Sequence, residues 1–72
     1  MSTLAERIKT ARVAKGLTLR GLAHLSGVSA AYISNLESGR QANPTVGKLR
    51  ALARTLGTTP AALLGAKEET AP

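Results

Sequence analysis

Residues 27–40 read GVSAAYISNLESGR. Gly27 is at home where a helix ends and the backbone must turn left-handed. Ser29 supplies the side chain of an N-cap. Ile33 and Leu36 lie one turn apart, so a helix over 29–38 has one buried side. Gly39 ends it. Only Gly27-Val28 separates this helix from the one before. Two helices joined by so short a link form a helix-turn-helix unit.

The punctuation repeats along the chain. Gly16, Gly27, Gly39, Gly57 and Gly65 each follow a helical pattern and read as stops. Thr3 with Glu6 has capping-box spacing. Thr18, Ser29 and Thr45 can each cap an N-terminus, and Thr59-Pro60 offers a cap followed by proline at the first helical position. Five short helices are predicted, near 3–15, 18–26, 29–38, 45–56 and 60–64. There is no strand alternation, so the expected fold is all-α, a compact five-helix bundle. Leu4, Ile8 and Ala11 follow a helical stripe. So do Leu22, Ala23 and Ser26, and then Val46, Leu49, Leu52, Ala53 and Leu56. Leu63 and Leu64 close the set. One domain over 3–65 is expected, with AKEETAP (66–72) as a C-terminal tail or linker stub.

The chain has 72 residues, room for one small domain, and carries ten Lys/Arg against four Asp/Glu, a net charge of +6. Glu68, Glu69 and Lys67 fall in the tail, so residues 1–66 hold nine basic and two acidic side chains, or +7. A body this basic points to a polyanion, most simply nucleic acid. With no cysteine, neither a disulfide framework nor a thiolate metal site is available. No run approaches the roughly 18 apolar residues of a membrane span. A soluble, cytoplasmic protein is expected. His24 is the single histidine and has no companion carboxylate or thiol; an enzyme, a metal or a cofactor is not expected.

Rotation at about 100° per residue places Ile33 and Leu36 toward the core with Glu37 and Ser29 beside them. The opposite face carries Ala31, Ser34, Asn35 and Ser38, with Ala30 and Tyr32 at its flanks. The residues free to meet a DNA groove are thus Ala30, Ala31, Ser34 and Asn35. The Asn35 amide can pair bidentately with adenine N6 and N7. Ser34 can donate or accept with little selectivity. The two alanines offer methyls, which suit a thymine C5-methyl. Ser29 can share its hydroxyl with a phosphate. Tyr32 either packs against the second helix or reaches a phosphate with its hydroxyl.

The sequence resembles the Xre/Cro (lambda-repressor-like) family of prokaryotic and phage transcriptional regulators. The matching residues are Gly16-Leu17-Thr18, Leu22-Ala23, Gly27-Val28-Ser29, Tyr32-Ile33-Ser34, Leu36-Glu37, Gly39-Arg40, Asn43-Pro44-Thr45, and Leu49…Leu52-Ala53…Leu56-Gly57…Leu63-Leu64. The resemblance covers about residues 3–65. The family's base-reading positions fall on the same Ala30, Ala31, Ser34 and Asn35. Its backbone-binding loop falls on residues 39–43, which makes Arg40 and Asn43 the expected phosphate contacts, with Ser38 a weaker one. Arg20 sits near where the family clamps the strand, and the helix starts at Thr18 and Thr45 add amide donors. Arg12 and Glu37 match a pair that is often an internal salt bridge. Arg7, Lys9 and Lys15 read as a solvated face, as do Arg50 and Arg54, while Lys48 can approach a phosphate.

Three departures stand out. Many members carry Gln where this chain has Leu19 and Glu where it has Gly21, and Gln41-Ala42 lengthens the loop. Gly21 either permits close approach to DNA or to the first helix, or is simply tolerated. The resemblance implies a DNA-binding regulator, a repressor acting as a homodimer on a pseudo-palindromic operator. The expected dimer patch is Leu56, Pro60, Leu63 and Leu64. The alternative is an antitoxin or adaptor that also binds DNA, with RNA polymerase or a toxin-like protein as partner. A third is the N-terminal piece of a longer ligand-sensing regulator. A helix headed by Ala30-Ala31 should make few direct base contacts and depend more on DNA shape.

Overall fold

A computed structural model describes residues 3–41 and 43–65. They form α1 (Leu4–Ala14), α2 (Leu19–Ser26), α3 (Ala30–Ser38), α4 (Val46–Leu56) and α5 (Pro60–Leu64), with no strand among them. The tail predicted over 66–72 lies outside the described residues. Each helix starts where its cap places it. Thr3 and Glu6 form a reciprocal capping box: the Glu6 N–H donates to Thr3 Oγ1 at 3.2 Å and the Thr3 N–H to Glu6 Oε1 at 3.1 Å. Thr18, Ser29, Thr45 and Thr59 accept from the N–H groups of Gly21, Tyr32, Lys48 and Ala62. Four orphan donors that would otherwise face solvent are thereby satisfied.

The turn between α2 and α3 rests on Gly27. Its φ is +78°, and nothing lies within 4 Å of where a Cβ would stand. The conformation, not the space, requires glycine there. The chain then reverses, and Val28 drops into the core at 4% exposure. Read from sequence as part of a link, Val28 is instead a core residue that fastens the turn to the bundle.

Helix α3 packs against α1 and α2, α2 against α4, and α5 bridges α1 and α4. The buried set is Ile8, Leu22, Val28, Ile33, Leu36, Leu49, Leu52, Ala53, Leu56 and Leu63. All are aliphatic, and every helix contributes at least one. The predicted α4 stripe loses its first member: Val46 is 71% exposed. Leu56 and Leu63 are 5% and 3% exposed. They complete the core and offer no surface to a partner, which corrects their placement in a dimer patch. Leu64, at 56% exposure, and half-buried Pro60 remain outside.

Arg7 departs from the solvated face expected of it, and Arg12 is engaged within the fold. Arg7 is half-buried and folds over the last turn of α5, so close that a Cβ at Gly65 would lie 2.6 Å from the guanidinium. Arg12 is committed to the fold. Its Nε donates to Glu37 Oε2 at 2.7 Å, Nη2 to Glu37 Oε1 at 3.0 Å, and Nη1 to the Leu17 carbonyl at 2.8 Å. One guanidinium thus joins α1, α3 and the segment entering α2. The hydrogen bond to Glu37 holds the Arg12 proton more tightly than in a free arginine. Their side chains are 13% and 9% exposed.

A charge pair this deep is costly to break from one side. Glu37→Ala should lower stability by about 2 kcal/mol, below the range for fully buried pairs because some solvent reaches both groups. In a domain of this size that lowers the Tm by roughly 10 °C. The double variant Arg12→Met/Glu37→Leu should melt above Glu37→Ala. Thermal denaturation followed by circular dichroism measures both, and a Glu37→Ala curve superposing on the parent would refute the role.

Candidate nucleic-acid interface

The same packing that buries Ile33 and Leu36 turns the other side of α3 outward. Ala31 and Ser34 are exposed, and Ala30 and Asn35 half-buried. The side chains of Ser34 and Asn35 make no hydrogen bond to any described residue. Their polar atoms are available to a ligand, and the two alanines leave the head of the helix low enough to sit deep in a groove.

The flanks are more engaged. Ser38 Oγ donates to the Asn35 carbonyl at 3.1 Å and accepts from the Arg40 N–H at 3.4 Å. Its one proton finishes the helix in this structure, which gives Ser38 a structural role. Tyr32 packs on the edge of the core, and its hydroxyl accepts from the Thr45 N–H at 3.3 Å. Lys48 Nζ stands 4.4 Å above the same ring. Tyr32 therefore ties the first turn of α3 to the first turn of α4. Thr18 and Ser29 use their oxygens as cap acceptors, and each keeps a hydroxyl proton that a phosphate can take.

Arg40 and Asn43 are exposed, and their side chains bond to no described residue. The loop that carries them is held from within. The Gln41 N–H donates to the Asn35 carbonyl at 3.1 Å, and Gln41 Nε2 donates to the Asn43 carbonyl at 3.1 Å. Gln41 looked like an insertion in sequence; in the fold it sets the shape of the loop. A lone amide between Arg40 and Asn43 carries no distinctive sequence signal. Arg20 is exposed at the start of α2. Gly21 lies behind its own N-cap: a Cβ there would meet Thr18 Oγ1 at 3.3 Å and Leu17 Cδ2 at 3.5 Å. Its close neighbours are the helix start itself and not α1. Leu19 is half-buried and packs on the core.

Electrostatics reinforce the geometry. Glu37, one of the two acids of the body, is spent on Arg12, and Glu6 caps α1. Arg7, Lys9, Lys15, Arg20, Arg40, Lys48, Arg50 and Arg54 have no ion-pair partner among the described residues. The result is a net positive field that attracts a polyanion from a distance. Among the described residues, no group of three or more His, Asp or Glu is placed to hold a metal, and no helix is long and apolar enough to cross a membrane.

These features define a helix-turn-helix domain. A family model described as helix-turn-helix matches residues 8–63, and the chain belongs to that family, the Xre/Cro-like class of regulators. It is 36% identical over 67 residues to the transcriptional regulator SinR of Bacillus subtilis (strain 168), covering 93% of this chain and 60% of SinR. The chain thus spans little more than half the length of that relative. Among solved structures, SinR in complex with DNA superposes with a TM-score of 0.83 at 34% identity, covering 86% of this chain and 98% of that one. SinR in complex with SinI gives 0.84 at 34% identity, over 97% of this chain and 68% of that one. The restriction-modification controller protein C.AhdI of Aeromonas hydrophila gives 0.77 at 33% identity, over 83% and 89%.

Because the Asn35 and Arg40 side chains bond to no described residue, stability and binding should separate at these positions. Asn35→Ala and Arg40→Ala should each unfold within about 0.5 kcal/mol of the parent. Ser38→Ala should cost more stability than either. Urea titrations of the three variants test this ordering, and an Asn35→Ala variant losing more than Ser38→Ala would contradict it.

Proposed function

We propose that this domain binds double-stranded DNA as a transcriptional regulator, with α3 in the major groove. The observation that carries the reading is the outward face of α3. Its polar side chains bond to no described residue, and it lies in a domain with eight cations that have no ion-pair partner among the described residues. Ala30, Ala31, Ser34 and Asn35 meet base edges, with Asn35 selecting adenine. Arg40, Asn43, Arg20, Ser29 and Thr18 grip phosphates and set the register. The solved complex of SinR with DNA supports the same use of a closely similar domain.

The finer reading is a repressor acting as a homodimer. One domain with so few base-reading groups binds a half-site weakly, so two copies on a pseudo-palindrome are required, about one helical turn apart. Leu64 and Pro60 are the surface left for that contact. A protein-binding role beside the DNA site is the second reading, favoured by the likeness to SinR in its complex with SinI.

Selection of bound duplexes from a random pool, at stated salt, tests the assignment. The recovered consensus should contain A·T pairs in two related half-sites, and sedimentation should find two chains per duplex. Asn35→Ala with Arg40→Ala should abolish binding. A consensus of pure G·C, or one chain on a fully protected site, would overturn the base-reading or the dimer assignment respectively.

A further inference from the structure

Tyr32, the one Phe, Tyr or Trp of the chain, makes two contacts to the start of α4. Lys48 Nζ lies 4.4 Å from the ring centroid. The hydroxyl accepts from the Thr45 N–H at 3.3 Å, and Thr45 Oγ1 in turn accepts from the Lys48 N–H at 3.3 Å. The ring, the cap and the lysine form one closed unit between two helices. Tyr32 follows Ala31 and precedes Asn35 by one turn, so the ammonium stands at the flank of the base-reading face.

We propose that Lys48 is a phosphate ligand of this domain and that the Tyr32 ring is the residue that positions it; the inference rests on the DNA-binding reading above. A lysine stem normally leaves its ammonium sampling many places. Here the negative face of the ring restrains it. A neutral ring does not cancel the charge, and no carboxylate among the described residues lies within ion-pair distance. The ring occupies one side of the ammonium, whose three donors include some directed away from it toward solvent. The Tyr32 hydroxyl accepts from the Thr45 N–H and keeps its own proton, so Lys48 joins Tyr32 at the phosphate and does not replace it.

A merely structural cation–π contact would predict altered melting and unaltered counterion release, and that is the distinction to measure. The duplex recovered from the random pool and an unrelated duplex of equal length are titrated by fluorescence anisotropy across a salt series. Lys48→Ala should weaken binding to both by the same factor, about five- to tenfold, and lower the salt slope by about one. Lys48→Arg should keep the parent slope. In a Tyr32→Phe background the loss from Lys48→Ala should persist in full; in Tyr32→Leu it should shrink to about twofold. Should Tyr32→Leu fail to fold, the parent itself supplies a second readout: the Lys48 side-chain methylene protons should show an upfield ring-current shift by NMR. An unchanged slope in Lys48→Ala, an equal loss with and without the ring, or the absence of that shift overturns the proposal. A parent that binds neither duplex removes the DNA-binding reading instead.

Discussion

The bundle is organised by a single forked contact, the Arg12 guanidinium on the Glu37 carboxylate. Its third donor holds the Leu17 carbonyl, so α1, α3 and the segment entering α2 share one hub. The core around it is made of aliphatic side chains alone, which are interchangeable in shape and specify helix rotation poorly. A bidentate pair has direction as well as strength. Glu37 follows Leu36 and lies one turn after Ile33, so fixing it fixes the azimuth of α3. Burial of Ile33 and Leu36 turns the face carrying Ser34 and Asn35 outward, and Glu37, held inward by Arg12, fixes that rotation.

The helices and their ends were legible in the sequence because they depend on local chemistry. A threonine or serine three residues before an orphan N–H, and a glycine after the last apolar residue, act within one turn of chain. The α3 face was legible for the same reason: with Ile33 and Leu36 buried, about 100° per residue leaves little freedom for Ala31, Ser34 and Asn35. What stayed hidden depends on neighbours distant in sequence. Val46 fits the α4 stripe, yet no helix covers it. Leu63 and Leu64 are adjacent and chemically identical, and only the approach of α1 and α4 decides which is buried. Arg7 reads as a solvated cation until Gly65 is brought beneath it. Ser38 reads as a surface hydroxyl until the turn into Arg40 claims it.

The loop between α3 and α4 shows how the fold presents charge without holding it in place by ion pairs. Gln41 braces the loop through the Asn35 and Asn43 carbonyls, which are neutral acceptors. Lys48 rests on a neutral ring. Arg40 has no partner among the described residues. Had carboxylates done this work, each would have cancelled a positive charge on the surface meant for a polyanion. On the proposed reading, the scarcity of acids in the body is therefore part of the site and not only a matter of composition.

On the proposed reading, the lean face of α3 sets the character of recognition. One bidentate asparagine–adenine pair contributes about 1–3 kcal/mol of discrimination. Two half-sites double that, while regulators of this kind separate specific from non-specific DNA by about 4–10 kcal/mol. Ser34 and two methyls narrow the difference without closing it at the upper end. The remainder has to come from terms that need no base contact. One is the fixed spacing that two copies impose on their half-sites. The other is the sequence-dependent cost of bending the duplex until Arg40, Lys48 and the capped helix starts all reach phosphates together. Ala30 and Ala31 serve that second term: short side chains let α3 sit deep, and a deep helix brings both flanking strands within range of the cations. The alanine head trades direct reading for a closer fit to the shape of the DNA.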